Sequence, residues 1–146
     1  MTLIEFLTAR LDEDETVARE CAEVFPTPWE IADRGWRVRI YSAPVPDLGD
    51  HAEPGWERVP VVMEVEPDRN LEDPKWLSER VEHIARHDPA RVLAEVAAKR
   101  AIVEGAVNYS PELEHGDNGE WALEMTLQAL ASVYVDHPDY RDEWKP

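Results

Sequence analysis

The chain has 146 residues, 43% of them hydrophobic, and a formal charge of -17 from 32 acidic and 15 basic side chains. That length and apolar content suffice for one domain, residues 1–146, whose core needs no disulfide or structural metal. The charge excludes nucleic acid and anionic lipid as long-range partners, because no basic run opposes it.

Cys21 is the single cysteine, which excludes the paired framework of small secreted domains. The opening Met1-Thr-Leu-Ile-Glu-Phe-Leu7 lacks the basic stretch of a secretion signal, and no apolar run approaches the roughly 18 residues that span a bilayer. A cytoplasmic location away from membranes is expected. The acids are uneven: residues 1–24 hold seven against two bases, and residues 105–146 hold nine against two. The negative field should therefore concentrate where the termini lie.

Residues 2–24 read as a helix, with Leu3, Phe6, Leu7, Leu11, Val17, Ala18, Cys21 and Val24 at helical spacing. Its other face is acidic, and Asp12-Glu13-Asp14-Glu15 spans more than a turn. Pro26 and Pro28 end it. From 29 to 66 the period becomes two: Trp29 and Ile31, then Trp36, Val38 and Ile40, then Val61, Met63 and Val65 predict three antiparallel strands. Asp33-Arg34-Gly35 supplies the first turn. A long loop, 43–58, carries Pro44, Pro46, Pro54 and an exposed Trp56.

Asp73-Pro74 and Asp88-Pro89 each place an N-cap before a proline at the first helical position. Helices over 74–86 and 89–107 follow, the first burying Leu77, Val81 and Ile84, the second Val92, Leu93, Val96 and Val103. Trp76 falls on the side of His83. After a polar loop holding His115, residues 120–135 are apolar almost all round and predict a central helix. An aromatic-studded tail, 136–144, is expected to fold back on the body. The fold class is α+β: an N-terminal helix, a three-stranded antiparallel sheet, then three helices, the last apolar and central.

Three groups of side chains could carry chemistry. His83 and His87 lie four apart on one helix and could bind a metal, with Asp88 or His137 as further ligands. The run His83-Ile-Ala-Arg-His87 lacks the glutamate of a zinc peptidase, and the spacing fits equally a helix-edge histidine and a C-terminal cap. Arg37 and Arg39 share one strand face with Tyr41 and could grip an anion. Glu64 and Glu66 on the third strand could instead pair with them. Asp12, Glu13, Asp14 and Glu15, with Asp139, Asp142 and Glu143 of the tail, could form an acidic interaction surface, while Asp12 to Glu15 with Glu5 could instead supply hard oxygen ligands. No phosphate-binding glycine loop, dinucleotide fingerprint or nucleophile elbow occurs.

Three blocks carry a resemblance: Ala9-Arg-Leu-Asp-Glu-Asp-Glu15, His83-Ile-Ala-Arg-His-Asp-Pro-Ala-Arg-Val-Leu93, and Asp136-His-Pro-Asp-Tyr-Arg-Asp-Glu-Trp144. Together they resemble an uncharacterised family of small actinobacterial and bacteriophage proteins, a domain of unknown function. The resemblance implies no activity, and its phage setting favours a binding or inhibitory role. The expected role is that of an acidic, noncatalytic interaction protein with a protein partner, no cofactor, and no direct contact with nucleic acid. A nucleic-acid mimic is its sharper form. The alternatives are a metal-dependent hydrolase and a protein that binds a small anion or nucleotide. The oligomeric state stays open.

Overall fold

A computed structural model describes residues 1–33, 38–42, 61–65, 75–109 and 118–146. Arg34 to Arg37, the loop 43–58 with Trp56, Glu66, the Asp73-Pro74 cap and His115 lie outside the described residues, as do the side chains of Trp76 and Leu77. The elements are α1 (Leu3–Val24), β1 (Trp29–Asp33), β2 (Val38–Ser42), β3 (Val61–Val65), α2 (Lys75–Arg86), α3 (Pro89–Val107) and α4 (Asn118–Ala131). This is the expected α+β order. Two compact units result, residues 1–16 with 94–146, and residues 17–93. Among the described residues no helix is long and apolar enough to cross a membrane.

Helix α1 starts on a capping box. The Thr2 N–H donates to Glu5 Oε2 at 2.7 Å, and the Glu5 N–H donates to Thr2 Oγ1 at 3.2 Å. Two of the N–H groups that a helix start leaves without partners are thereby satisfied. The Thr2 amide holds the Glu5 carboxyl below the usual carboxylate range. At the other end the Phe25 N–H reaches the Cys21 carbonyl, and the helix stops ahead of Pro26, which cannot supply a further N–H.

In the second unit the sheet has the order β1-β2-β3, antiparallel throughout. Arg39 stands opposite Glu64 and Ile40 opposite Met63, and a bulge between Ile40 and Tyr41 brings Tyr41 opposite Val61. The extra residue is Val62, on β3. Tyr41, expected on a polar face with Arg39, is buried to 1% exposure, and Ser42 is fully buried beside it. Helix α2 packs on β1 and β2, where Val38, Ile40 and Val81 form the core and Trp29, Met63, Val65 and Ile84 pack against them. The Trp29 indole N–H donates to the Phe25 carbonyl at 3.1 Å, tying the strand's start to the end of α1.

Helix α3 opens as its sequence dictates. Asp88 Oδ1 accepts the Arg91 N–H at 2.9 Å, and Pro89 occupies the first helical position. Of its expected core residues Val96 and Val103 are buried, while Val92 and Leu93 are half-buried.

In the first unit, α4 is shorter than the apolar stretch that encodes it, and residues 132–134 tighten into a 3-10 turn. Among the described side chains of α4 only Leu127 and Ala131 are buried, and Trp121 remains 65% exposed. The all-round burial expected of this segment is absent: the large apolar side chains of Val133 and Val135, just beyond α4, are exposed as well. Gly119 lies in the first turn of α4 directly under the Tyr109 ring, so that a Cβ there would collide with the phenol oxygen. The tail folds back as expected. Trp144 is buried, with its ring centroid 5.0 Å from that of Phe6 on α1.

Candidate functional site

The acidic run of α1 meets partners from the far end of the chain. Asp12 and Glu15 are three apart and so share a helix face. The Arg100 guanidinium of α3 bridges them, with Nη2 2.6 Å from Asp12 Oδ1 and 2.8 Å from Glu15 Oε2. Its hydrogen bond to Asp12 is the main cause of a raised Arg100 pKa. Arg10 Nη1 donates to Glu13 Oε2 at 2.8 Å. The Tyr134 O–H donates to Asp14 Oδ2 at 2.6 Å, and burial, reinforced by that carboxylate, pushes the phenol above its ordinary value. Each of the four carboxylates expected to form a bare interaction face is thus engaged inside the unit. Asp12 and Glu13 nevertheless keep 60% and 64% of their side-chain surface in water.

The Arg10 side chain is only 10% exposed. Its guanidinium carbon lies 5.7 Å from the centroid of Phe6, it contacts His137 Nε2, and its Nε is buried without a partner. Tyr134, His137, Tyr140 and Trp144 all set their rings within 6.2 Å of Phe6. His137 is therefore one member of an aromatic latch between the tail and α1. Its Nδ1 accepts the Asp139 N–H at 3.1 Å. Among the other tail acids, Asp142 pairs with Lys145 at 2.6 Å, Glu143 pairs with Arg141 at 3.3 Å, and Asp139 is exposed. The Lys145 ammonium lowers the Asp142 pKa, and Asp142 raises that of Lys145.

The remaining candidates belong to the second unit. His83 and His87 are exposed, with ring centroids 4.4 Å apart. His87 Nδ1 lies 2.7 Å from the His83 carbonyl oxygen and donates to it, closing the end of α2 and leaving Nε2 outward. Asp88 is occupied as the N-cap of α3, and among the described residues no three His, Cys, Asp or Glu side chains converge as a metal would require. Arg39 Nε donates to Glu64 Oε2 at 2.6 Å and Nη1 to the Tyr41 hydroxyl at 3.2 Å. The cross-strand pairing open to Arg39 is formed, and Arg37 lies outside the described residues.

A groove that the periodicities did not foretell runs between α1 and α3 in the first unit. Its volume is about 180 Å³. Ile4, Thr8 and Leu11 line it from α1, at helical spacings of four and three. Arg100, Val103, Glu104 and Val107 line it from α3, and Asn108 from the residue just after that helix. Small-molecule sites enclose roughly 300–1,000 Å³, so this groove is sized for one or two apolar side chains. Val107, at the end of α3, is an apolar residue left 60% exposed.

The chain belongs to a family of unknown function, DUF6221, whose match spans residues 1–146. No curated protein and no solved structure matches it.

Proposed function

We propose that this protein is a noncatalytic, acidic interaction module of the cytoplasm that binds a basic protein partner. The observation that carries the reading is the charge of the first unit, where residues 1–16 and 94–146 hold sixteen acids against five bases. The second unit holds sixteen against ten. The five bases of the first unit can neutralise at most five of its sixteen acids. A field of that sign attracts a basic protein surface and accelerates encounter with it. In its sharper form the module stands in for nucleic acid at the groove of a DNA-binding protein, in an actinobacterial or phage setting. Spaced carboxylates there replace phosphates.

The metal-hydrolase alternative has less support. His83 and His87 bring two imidazoles to one place, whereas His137 belongs to the other unit and Asp88 is spent on capping. An anion at Arg39 would have to displace Glu64.

The test is the salt dependence of binding to a panel of purified basic DNA-binding proteins. Affinity is expected to fall by tenfold or more between about 0.05 and 0.5 M salt, as the Debye length shrinks. An affinity indifferent to salt, or no binding at low salt, defeats the reading.

A further inference from the structure

We propose that the groove between α1 and α3 of the first unit is the docking site for an amphipathic, Lys/Arg-bearing helical segment of a partner protein. The inference rests on the reading of the protein as an acidic module and adds where and how the partner is held.

Shape supplies the first argument. Ile4 to Leu11 on α1 is about two helical turns, roughly 10 Å at 1.5 Å per residue. A trough two turns long and about 180 Å³ in volume takes side chains at i and i+4 of a third helix, the usual anchors of helix-in-groove recognition.

Charge supplies the second. Arg100 is the base of the groove, but Asp12 and Glu15 both lie on it, at 2.6 and 2.8 Å, and Glu104 stands one turn along α3. One base against three acids leaves the rim net negative even after pairing. A second copy of this chain, at -17, would bring like charge to that rim. A segment flanked by lysine or arginine brings the opposite charge, and its apolar anchors cover Val107, which is 60% exposed.

The experiment is a methyl NMR titration of the full chain at low salt with two synthetic helical peptides of about 15 residues. One carries Leu at i and i+4 on a Lys background, and the other has those Leu replaced by Ser with every Lys kept. The Leu peptide is expected to shift the methyls of Ile4, Leu11, Val103 and Val107 and to bind at least tenfold more tightly than the Ser peptide. Val107→Glu, at an exposed position, should weaken the Leu peptide by roughly tenfold through a charge placed against the anchors. Val17→Glu, at a 66% exposed valine of α1 in the other unit, should leave binding unchanged. Equal, salt-sensitive binding of both peptides with shifts elsewhere overturns the groove and leaves the acidic-module reading standing. Undiminished binding by Val107→Glu likewise overturns the groove, and binding of neither peptide overturns both.

Discussion

The two units are held by different physics. Residues 17–93 rely on backbone pairing in a three-stranded sheet with α2 laid over it, and an ion pair between Arg39 and Glu64 joins neighbouring strands. In the other unit, residues 1–16 are tied to the last fifty by side chains. Asp12 and Glu15 meet Arg100, Asp14 meets Tyr134, and Phe6 meets four rings of the tail. The first kind of unit depends on a small apolar core. The second adds carboxylates anchored at one oxygen while the rest of the group faces water, so one set of acids both joins the unit and gives it its external field.

The largest effect that should separate them comes from Trp144→Ala and Ile40→Ala. Each truncates a buried side chain, at 6% and 0% exposure, and should cost about 3–5 and 2–5 kcal/mol respectively. Hydrogen exchange is the measurement. Trp144→Ala should strip protection from α4 and the first turns of α1, and Ile40→Ala from the sheet and α2. If either variant removes protection equally in both units, the chain unfolds as one body and the division has no energetic content.

Gly119→Ala should have the next largest effect. The new methyl meets the Tyr109 hydroxyl, and such overpacking costs about 1–3 kcal/mol. Normally Gly→Ala in an exposed helix stabilises, so a gain in urea resistance would show that Tyr109 swings away without cost. Tyr109→Ala in the same background should restore the ordinary helix preference.

The smallest effect lies at the start of α1. Thr2→Ala removes the side-chain half of the capping box and should cost about 0.5–2 kcal/mol. The Glu5 half is pH-dependent. Because the folded pKa lies below the unfolded 4.5, its contribution is present above that value and is lost as pH falls through the lowered one. Glu5→Gln still accepts the Thr2 N–H and should flatten that acid-side slope in helical circular dichroism. An unchanged slope would assign it to other carboxylates.

How much of this was legible in the residues follows from the range of each interaction. The Asp88-Pro89 cap, the end of α1 before Pro26 and the three short strands are decided within a few neighbouring residues, and periodicity or punctuation reads them directly. The burial of Tyr41 was hidden, since a period of two assigns it to Arg39's face of β2 but does not say what covers that face. The status of the acidic run was hidden too. Apart from Arg10, three residues from Glu13, its partners lie 85, 88 and 120 residues away, and an Arg on an apolar helix reads as solvated until the facing helix is known.

By itself, then, the sequence determined the element order, the caps and the sign of the field, because propensity, proline chemistry and net charge need no partner. Only the tertiary structure decided that Asp12 to Glu15 are clasped by Arg100, Arg10 and Tyr134, that α4 leaves Trp121 in water, and that α1 and α3 leave a trough between them. Those outcomes depend on which helix faces meet, and pairing across a hundred residues is set by packing rather than by any local pattern.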